Sequence, residues 1–282
     1  MQVFYDKDTF SKYIDLQKEQ NNSIGFAPTM GALHAGHISL YEEANKDNDV
    51  VISSIFVNPT QFNNPDDLEK YPRTVENDIE KLQNSKLVDA VYIPKVEDIY
   101  PNGMERKHYN FGGIENEMEG AARPGHFDGV GTVVEELFRQ VRPDNAYFGE
   151  KDFQQLQIIK KLVEKEQLPI TIVGCPIFRE ANGLAMSSRN ERLNSETREK
   201  AAFIYQSLLK VKSLFSSKSI AEIKATIETD FKMQSTFELE YLEIADEATL
   251  ESSEIKSDTK SYRAFIAVFA NNVRLIDTIS LN

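Results

Sequence analysis

Two histidines three residues apart, set among glycines, are the first residues in the chain whose types and spacing could do chemistry. They lie in Pro28-Thr29-Met30-Gly31-Ala32-Leu33-His34-Ala35-Gly36-His37. Gly31 and Gly36 let backbone come close to a ligand and tolerate positive φ. A helix starting near Gly36 would aim unpaired N–H groups and its positive dipole end at whatever docks there, which suits a phosphate. His34 and His37 would then share a face and present two imidazoles to one anion. Two glycines alone fit an ordinary strand-to-helix turn equally well; the interleaved histidines favour function.

Three further stretches carry polar groups suited to the same kind of ligand. Asn58-Pro59-Thr60-Gln61-Phe62 puts Gln61 just past an apolar run, a position from which it can clamp a small polar substrate. In Gly149-Glu150-Lys151-Asp152-Phe153-Gln154-Gln155, Lys151 supplies a point charge for a phosphate. Asp152 there can cap a helix or accept from ribose hydroxyls, and Gln155 follows it by three on the same face. Asn182-Gly183-Leu184-Ala185-Met186-Ser187-Ser188-Arg189-Asn190 offers two hydroxyls and a guanidinium, a donor set for terminal phosphates. A serine-rich linker explains that last stretch as well, and capping alone explains Asp152. No Gly-x-x-x-x-Gly-Lys-Ser/Thr loop and no Gly-x-Gly-x-x-Gly fingerprint occurs. Neither does a Gly-x-Ser-x-Gly elbow or a Cys/His cluster of zinc-binding spacing.

The chain has 282 residues, 40% hydrophobic and 27% charged, which describes an ordinary soluble globular protein of two domains. A formal charge of −13 disfavours a general nucleic-acid surface, because phosphate-backbone binding needs basic residues to displace counterions. No window approaches the roughly 18 to 20 apolar residues of a membrane span. The start, Met1 to Asp8, lacks the basic and apolar regions of a secretory signal. The single cysteine, Cys175, excludes an intrachain disulfide, and the expected location is the cytosol.

Patterning supplies the elements that must hold these residues. Apolar runs at 24–27, 50–57, 90–93, 145–149 and 170–173 read as strands, and the 50–57 run is nearly continuous, as in a parallel strand covered on both faces. Helical spacing lies between them: Ile38, Leu40, Tyr41 and Ala44; then Val75, Ile79 and Leu82 behind Thr74 as a cap. Val130, Val133, Val134, Leu137, Phe138 and Val141 give the strongest amphipathic signal, and Phe153, Leu156 and Ile159 another. Residues 63 to 73, polar with two prolines, read as a long surface loop that could serve as a lid, and 101–129 shows no clear period. The alternation predicts an α/β, Rossmann-like doubly wound parallel sheet over residues 1–176. After Pro176 come two helices, about 194–209 and 220–231, and two strands, 237–244 and 262–269, a smaller α+β domain over 177–282. In such a sheet, ligands sit beyond the carboxyl ends of the strands.

Taken in order, these stretches resemble the pantothenate synthetase (pantoate–beta-alanine ligase) family. The resemblance rests on the histidine turn, Phe56 to Phe62, Tyr71-Pro72-Arg73-Thr74, Glu119-Gly120-Ala121-Ala122-Arg123-Pro124-Gly125-His126-Phe127, Gly149 to Gln155 and Met186-Ser187-Ser188-Arg189-Asn190. The histidine turn alone is shared in looser form by the wider HxGH nucleotidyltransferase superfamily. The resemblance implies ATP-dependent condensation of pantoate with β-alanine through a pantoyl adenylate, giving pantothenate, AMP and pyrophosphate. It further implies His37, His34 and Lys151 as catalytic groups, with His37 the family's proton donor. It implies an ATP site of Met30, Gly31, Ala32, Leu33, His34, Ala35, Gly36, His37, Gly149, Glu150, Lys151, Asp152, Phe178, Met186, Ser187, Ser188 and Arg189. Gln61 and Gln155 would hold pantoate, Asp78 a Mg²⁺ ion, the second domain would close over the site, and the family precedent is a homodimer.

An imidazole suits proton donation, with a reference pKa of about 6.5 that surroundings can tune. Three positions depart from the family pattern. Asn182 stands where an aspartate commonly precedes Gly-Leu-Ala, Phe178 is larger than the residue expected beside adenine, and Glu136 replaces a usual lysine. Two rival readings are another nucleotidyl-transferring enzyme on this fold and a non-catalytic nucleotide-binding protein.

Overall fold

The computed structural model describes residues 1–282 and divides into two compact units, Met1–Gly149 with Gln155–Pro176, and Glu150–Gln154 with Ile177–Asn282. A single boundary at 176 therefore needs one change. The short segment Glu150–Gln154, which continues directly from a strand of the first unit, packs with the second.

The first unit is built on six strands: β1 (Gln2–Phe4), β2 (Ile24–Thr29), β3 (Val50–Ile55), β4 (Ala90–Tyr92), β5 (Asn145–Gly149) and β6 (Thr171–Cys175). They pair in parallel in the order β1-β4-β3-β2-β5-β6. β3 is buried along its whole length, which is why its sequence runs apolar instead of alternating. Its two serines are buried within it, and Ser53 shares a 2.7 Å hydrogen bond with the Tyr41 hydroxyl. The strand order reverses between β2 and β5, where Gly25 pairs with Asn145 and Phe26 with Ala146. At such a switch point the loops leaving the two carboxyl ends turn to opposite faces of the sheet and leave a crevice. β2 leads at that point into the histidine turn, and β5 ends at Gly149.

The helix Ala35–Asp47 seats Leu40, Tyr41 and Ala44 in the core. The helix His126–Val141 buries Val130, Val133, Val134, Leu137, Phe138 and Val141, the period seen in its sequence. Gly129 on this helix is a contact point: a Cβ there would stand 2.7 Å from the Thr60 carbonyl oxygen and 2.9 Å from the Gln61 nitrogen. Only the missing side chain lets the helix lie against the Pro59–Gln61 turn.

The segment 63–73 carries a short helix, Pro65–Glu69, started by a proline and capped by Asn64, whose side chain accepts the Asp66 N–H at 2.9 Å. The unperiodic stretch before His126 contains short helical turns at Ile114–Asn116 and Met118–Ala122.

In the second unit β7 (Phe237–Asp246), β8 (Tyr262–Ala270) and β9 (Val273–Ser280) form an antiparallel sheet in that order. The helices Ala202–Phe215 and Ile220–Lys232 contribute Ile204, Leu208, Ile223 and Ile227 to a core shared with Ile244, Ala264, Ile266 and Val268. β9 is a strand that the sequence pattern conceals, because buried Asp277 interrupts its apolar run. No helix of the protein is long and apolar enough to cross a membrane.

Candidate active site

The histidine turn is shaped by two consecutive left-handed residues, Gly31 at φ +81° and Ala32 at φ +51°. A Cβ on Gly31 would lie 3.0 Å from an Asp78 oxygen and 3.2 Å from Ile55, so this position needs glycine for its φ and for its space. The helix Val75–Ser85 grips the turn with two side chains one turn apart. Asp78 Oδ2 accepts the Ala32 N–H at 2.8 Å, Asp78 Oδ1 accepts the Leu33 N–H at 2.7 Å, and Lys81 Nζ donates to the Leu33 carbonyl at 2.7 Å. Thr74 does not cap its helix through its side chain; its hydroxyl donates to Asp78 Oδ2 at 3.1 Å.

Asp78 consequently does not fit the metal-ligand role implied by the resemblance. Its side chain has no exposed surface and both oxygens accept hydrogen bonds from the turn. No group of three or more His, Cys, Asp or Glu side chains is arranged to hold a metal ion. The position of an acid on a helix is visible in sequence, but the backbone amides that consume its lone pairs are not.

His34 ends the turn in extended backbone (φ −139°, ψ 175°) and caps the helix that starts at Ala35. The rings of His34 and His37 sit 4.0 Å apart, centroid to centroid, tilted by 40°. The His34 N–H donates to His37 Nδ1 at 3.2 Å. That bond requires a lone pair on Nδ1, so the neutral His37 ring carries its proton on Nε2. The ring is thereby set up as a donor at its outer nitrogen.

Gln61 closes the Pro59–Gln61 turn that follows β3 and is itself buried. Its Nε2 lies 3.0 Å from Met30 Sδ, so Gln61 and the histidine turn meet. Its Oε1 accepts from Asn58 Nδ2 at 3.1 Å, and the same Nδ2 reaches the Gly129 carbonyl at 3.1 Å. Asn58 Oδ1 in turn accepts from the Tyr100 hydroxyl at 2.5 Å and from Thr60 Oγ1 at 3.1 Å. The Gln61 main-chain carbonyl accepts from Arg123 Nη2 at 3.1 Å and from His126 Nδ1 at 2.8 Å. Asn58, Tyr100, Arg123 and His126 thus fix the Gln61 amide and backbone. Sequence reasoning did not assign them; the three-residue spacing of Arg123 and His126 was the available signal. Gln155 is half-buried on the first turn of the helix Phe153–Lys165 and belongs to the first unit.

Gly129→Ala is expected to raise the KM for pantoate, the substrate that the family resemblance assigns to Gln61, about tenfold or more, since the new methyl must displace the Thr60–Gln61 backbone. Steady-state kinetics check this, with the KM for nucleotide expected to change by less than about twofold.

Of the remaining predicted residues Gly149 ends β5 in the first unit, and the others lie in the second. Lys151 Nζ is 3.5 Å from Asp152 Oδ2. Phe178 and Met186 face each other across a small hairpin whose strands bridge at Arg179 and Ala185, with the Met186 N–H donating to the Phe178 carbonyl at 3.0 Å. Gly183 makes its turn at φ +94°. Ser187 then caps the turn Ser188–Arg192, its Oγ accepting the Arg189 N–H at 3.3 Å. Charged groups hold this ledge in place. Glu180 accepts from Arg198 Nε and Nη2, both at 2.9 Å, and from Asn190 Nδ2 at 2.8 Å. Arg179 forms a fork with Asp277 at 2.7 and 3.0 Å while stacking 3.7 Å over the Tyr205 ring. Burial pushes the Asp277 carboxyl above its ordinary range, against the opposing pull of Arg179 and of Lys151.

Residues 2–280 match the family model described as Pantoate-beta-alanine ligase. The chain belongs to that family. It is 55% identical over 282 residues to the pantothenate synthetase of Flavobacterium psychrophilum, covering 99% of each chain. It is 52% identical to that of Christiangramia forsetii over 100% of both. Among solved structures, a pantothenate synthetase from Thermus thermophilus superposes with a TM-score of 0.90 at 38% identity, over 100% of this chain and 99% of that one. A pantoate-beta-alanine ligase from Francisella tularensis, complexed with beta-gamma ATP and beta-alanine, gives 0.81 at 37% identity over 100% and 98%.

The departures from the ligase pattern have local partners. Asn182 Nδ2 donates to the Arg198 carbonyl at 2.9 Å and the Glu199 carbonyl at 3.3 Å, bonds that an ionised aspartate cannot make, and its Oδ1 accepts the Leu184 N–H at 3.1 Å. Glu136 accepts from Lys7 at 3.3 Å and Gln140 at 2.7 Å. Phe178 is 43% exposed, a large apolar side chain open to solvent on the hairpin.

Proposed function

We propose that the protein condenses pantoate with β-alanine, activating pantoate as an adenylate with ATP and releasing pyrophosphate and then AMP. The observation that carries this reading is the meeting of Gln61 with the His34–His37 turn through Met30, which puts a carboxylate clamp beside a pair of imidazoles.

In the first step a pantoate carboxylate oxygen attacks the α-phosphorus and the bond to the bridging oxygen of pyrophosphate breaks. Charge gathers on phosphoryl oxygens, so positioned donors do most of the work. His37 Nε2–H and His34 act there, while Gln61 and Gln155 hold pantoate. In the second unit Lys151, Ser187, Ser188 and Arg189 take the remaining phosphates, Asp152 the ribose, and Met186 and Phe178 the base. In the second step the β-alanine amine attacks the acyl carbon, loses a proton and expels AMP. Any Mg²⁺ that accompanies ATP would be held by its phosphates and not by Asp78. On the resemblance alone the reading extends to a cytoplasmic homodimer whose second domain closes over the site.

AMP release should require both pantoate and β-alanine, and pantoate alone should support exchange of labelled pyrophosphate into ATP. A nucleotide-linked product with no AMP would instead indicate a nucleotidyltransferase. ATP binding with neither exchange nor AMP would indicate a non-catalytic protein.

A further inference from the structure

We propose that Arg263 is the positioning residue for Lys151, fastening the Glu150–Gln154 segment to β8 so that the phosphate-binding ammonium is held as part of the second unit. The proposal rests on the role of Lys151 in ATP binding given above.

Arg263 lies on β8 between Tyr262 and Ala264, both of which point into the helix-covered core, so its own side chain takes the other face of the sheet. That side chain is only 8% exposed. An arginine so deeply covered needs partners for its charge. It has three. Nε bonds Glu247 at 2.9 Å, Nη2 reaches Glu150 at 3.5 Å, and the guanidinium carbon lies 3.9 Å above the centre of the Phe153 ring. Phe265, next on the same face, adds a second ring 6.0 Å from Phe153.

Two of these contacts flank Lys151 in sequence, Glu150 directly before it and Phe153 two residues after. Lys151 is therefore held from both sides by one guanidinium. On the next strand, Asp277 of β9 forks with Arg179 at the base of the Phe178–Met186 hairpin. Lys151 and Ser187–Arg189 are thus anchored to neighbouring strands of a single sheet. Only a planar fork can stack on a ring and serve two carboxylates together, so lysine is no substitute.

The test compares Arg263→Lys and Glu247→Gln with the unaltered protein in the two-substrate AMP assay. Arg263→Lys should raise the KM for ATP about tenfold, with the KM values for pantoate and β-alanine within about twofold in protein shown by thermal unfolding to be folded. Glu247→Gln, which removes only the charge that orients the fork, should raise the KM for ATP about threefold, and it decides the matter if Arg263→Lys does not fold. A merely structural role lowers the active fraction, seen as a fall in kcat with every KM unaltered. That result, or an unchanged KM for ATP in both variants, overturns the proposal and leaves the function standing. An unaltered protein that makes no AMP from the two substrates overturns both.

Discussion

His37→Ala should slow adenylate formation by about 100-fold to 10,000-fold, the range expected when a transition-state hydrogen-bond or proton donor is removed. The stability loss should be small by comparison. The ring's Nδ1 accepts from the His34 N–H at 3.2 Å, and a net contribution of about 1 kcal/mol is usual for such a bond. The kinetic effect corresponds to roughly 3 to 5 kcal/mol at the transition state. The two are separable: single-turnover pyrophosphate release reports the first, thermal unfolding the second. Release within about tenfold of the unaltered rate would remove His37 from the chemistry.

Asp78→Asn should be nearly as damaging, for a different reason. The carboxylate accepts hydrogen bonds from the Ala32 and Leu33 amides on separate oxygens. An asparagine can accept only one of them, and its NH₂ would then face the other N–H, donor against donor. Leaving a buried donor unsatisfied costs about 1 to 3 kcal/mol, and more where the lost partner was charged. With the grip of this helix on the turn reduced mainly to Lys81, the histidines lose their placement, and AMP formation should fall by about 100-fold or more. Raising Mg²⁺ should not restore it. Recovery at high Mg²⁺ would instead return Asp78 to the role of metal ligand.

What the sequence made legible were the groups whose chemistry is carried by residue type. The strand, glycine turn and helix around His34 and His37, the parallel sheet and the change of architecture after Pro176 follow from spacing and composition. The illegible parts depend on a partner distant in sequence. Asp78 looks like any helix acid until the backbone of Ala32 and Leu33, more than forty residues earlier, arrives against it. Asn58 looks like a loop residue until Tyr100 and Gly129 converge on it. β9 is hidden because Asp277 looks polar and solvated, whereas the fork from Arg179 lets the carboxylate be buried. The contacts of Arg263 with Glu150 and Phe153 are equally hidden, because they leave no mark on the local sequence pattern.

The reversal of strand order at β2 and β5 also has a consequence in time. β2 meets β3 through a short connection, Ile24 pairing with Val50, but its other edge waits for β5, whose Asn145 joins Gly25. During synthesis from the amino end, the histidine turn is therefore translated early, on a strand that keeps one side open until the middle of the chain has emerged. Closing contacts between residues so far apart is slow, because the loop entropy must be met before the pairing returns anything. The β7-β8-β9 meander, made of neighbours in sequence, carries no such delay. The first chemical motif to leave the ribosome thus sits on a strand whose second edge stays open until Asn145 has been made.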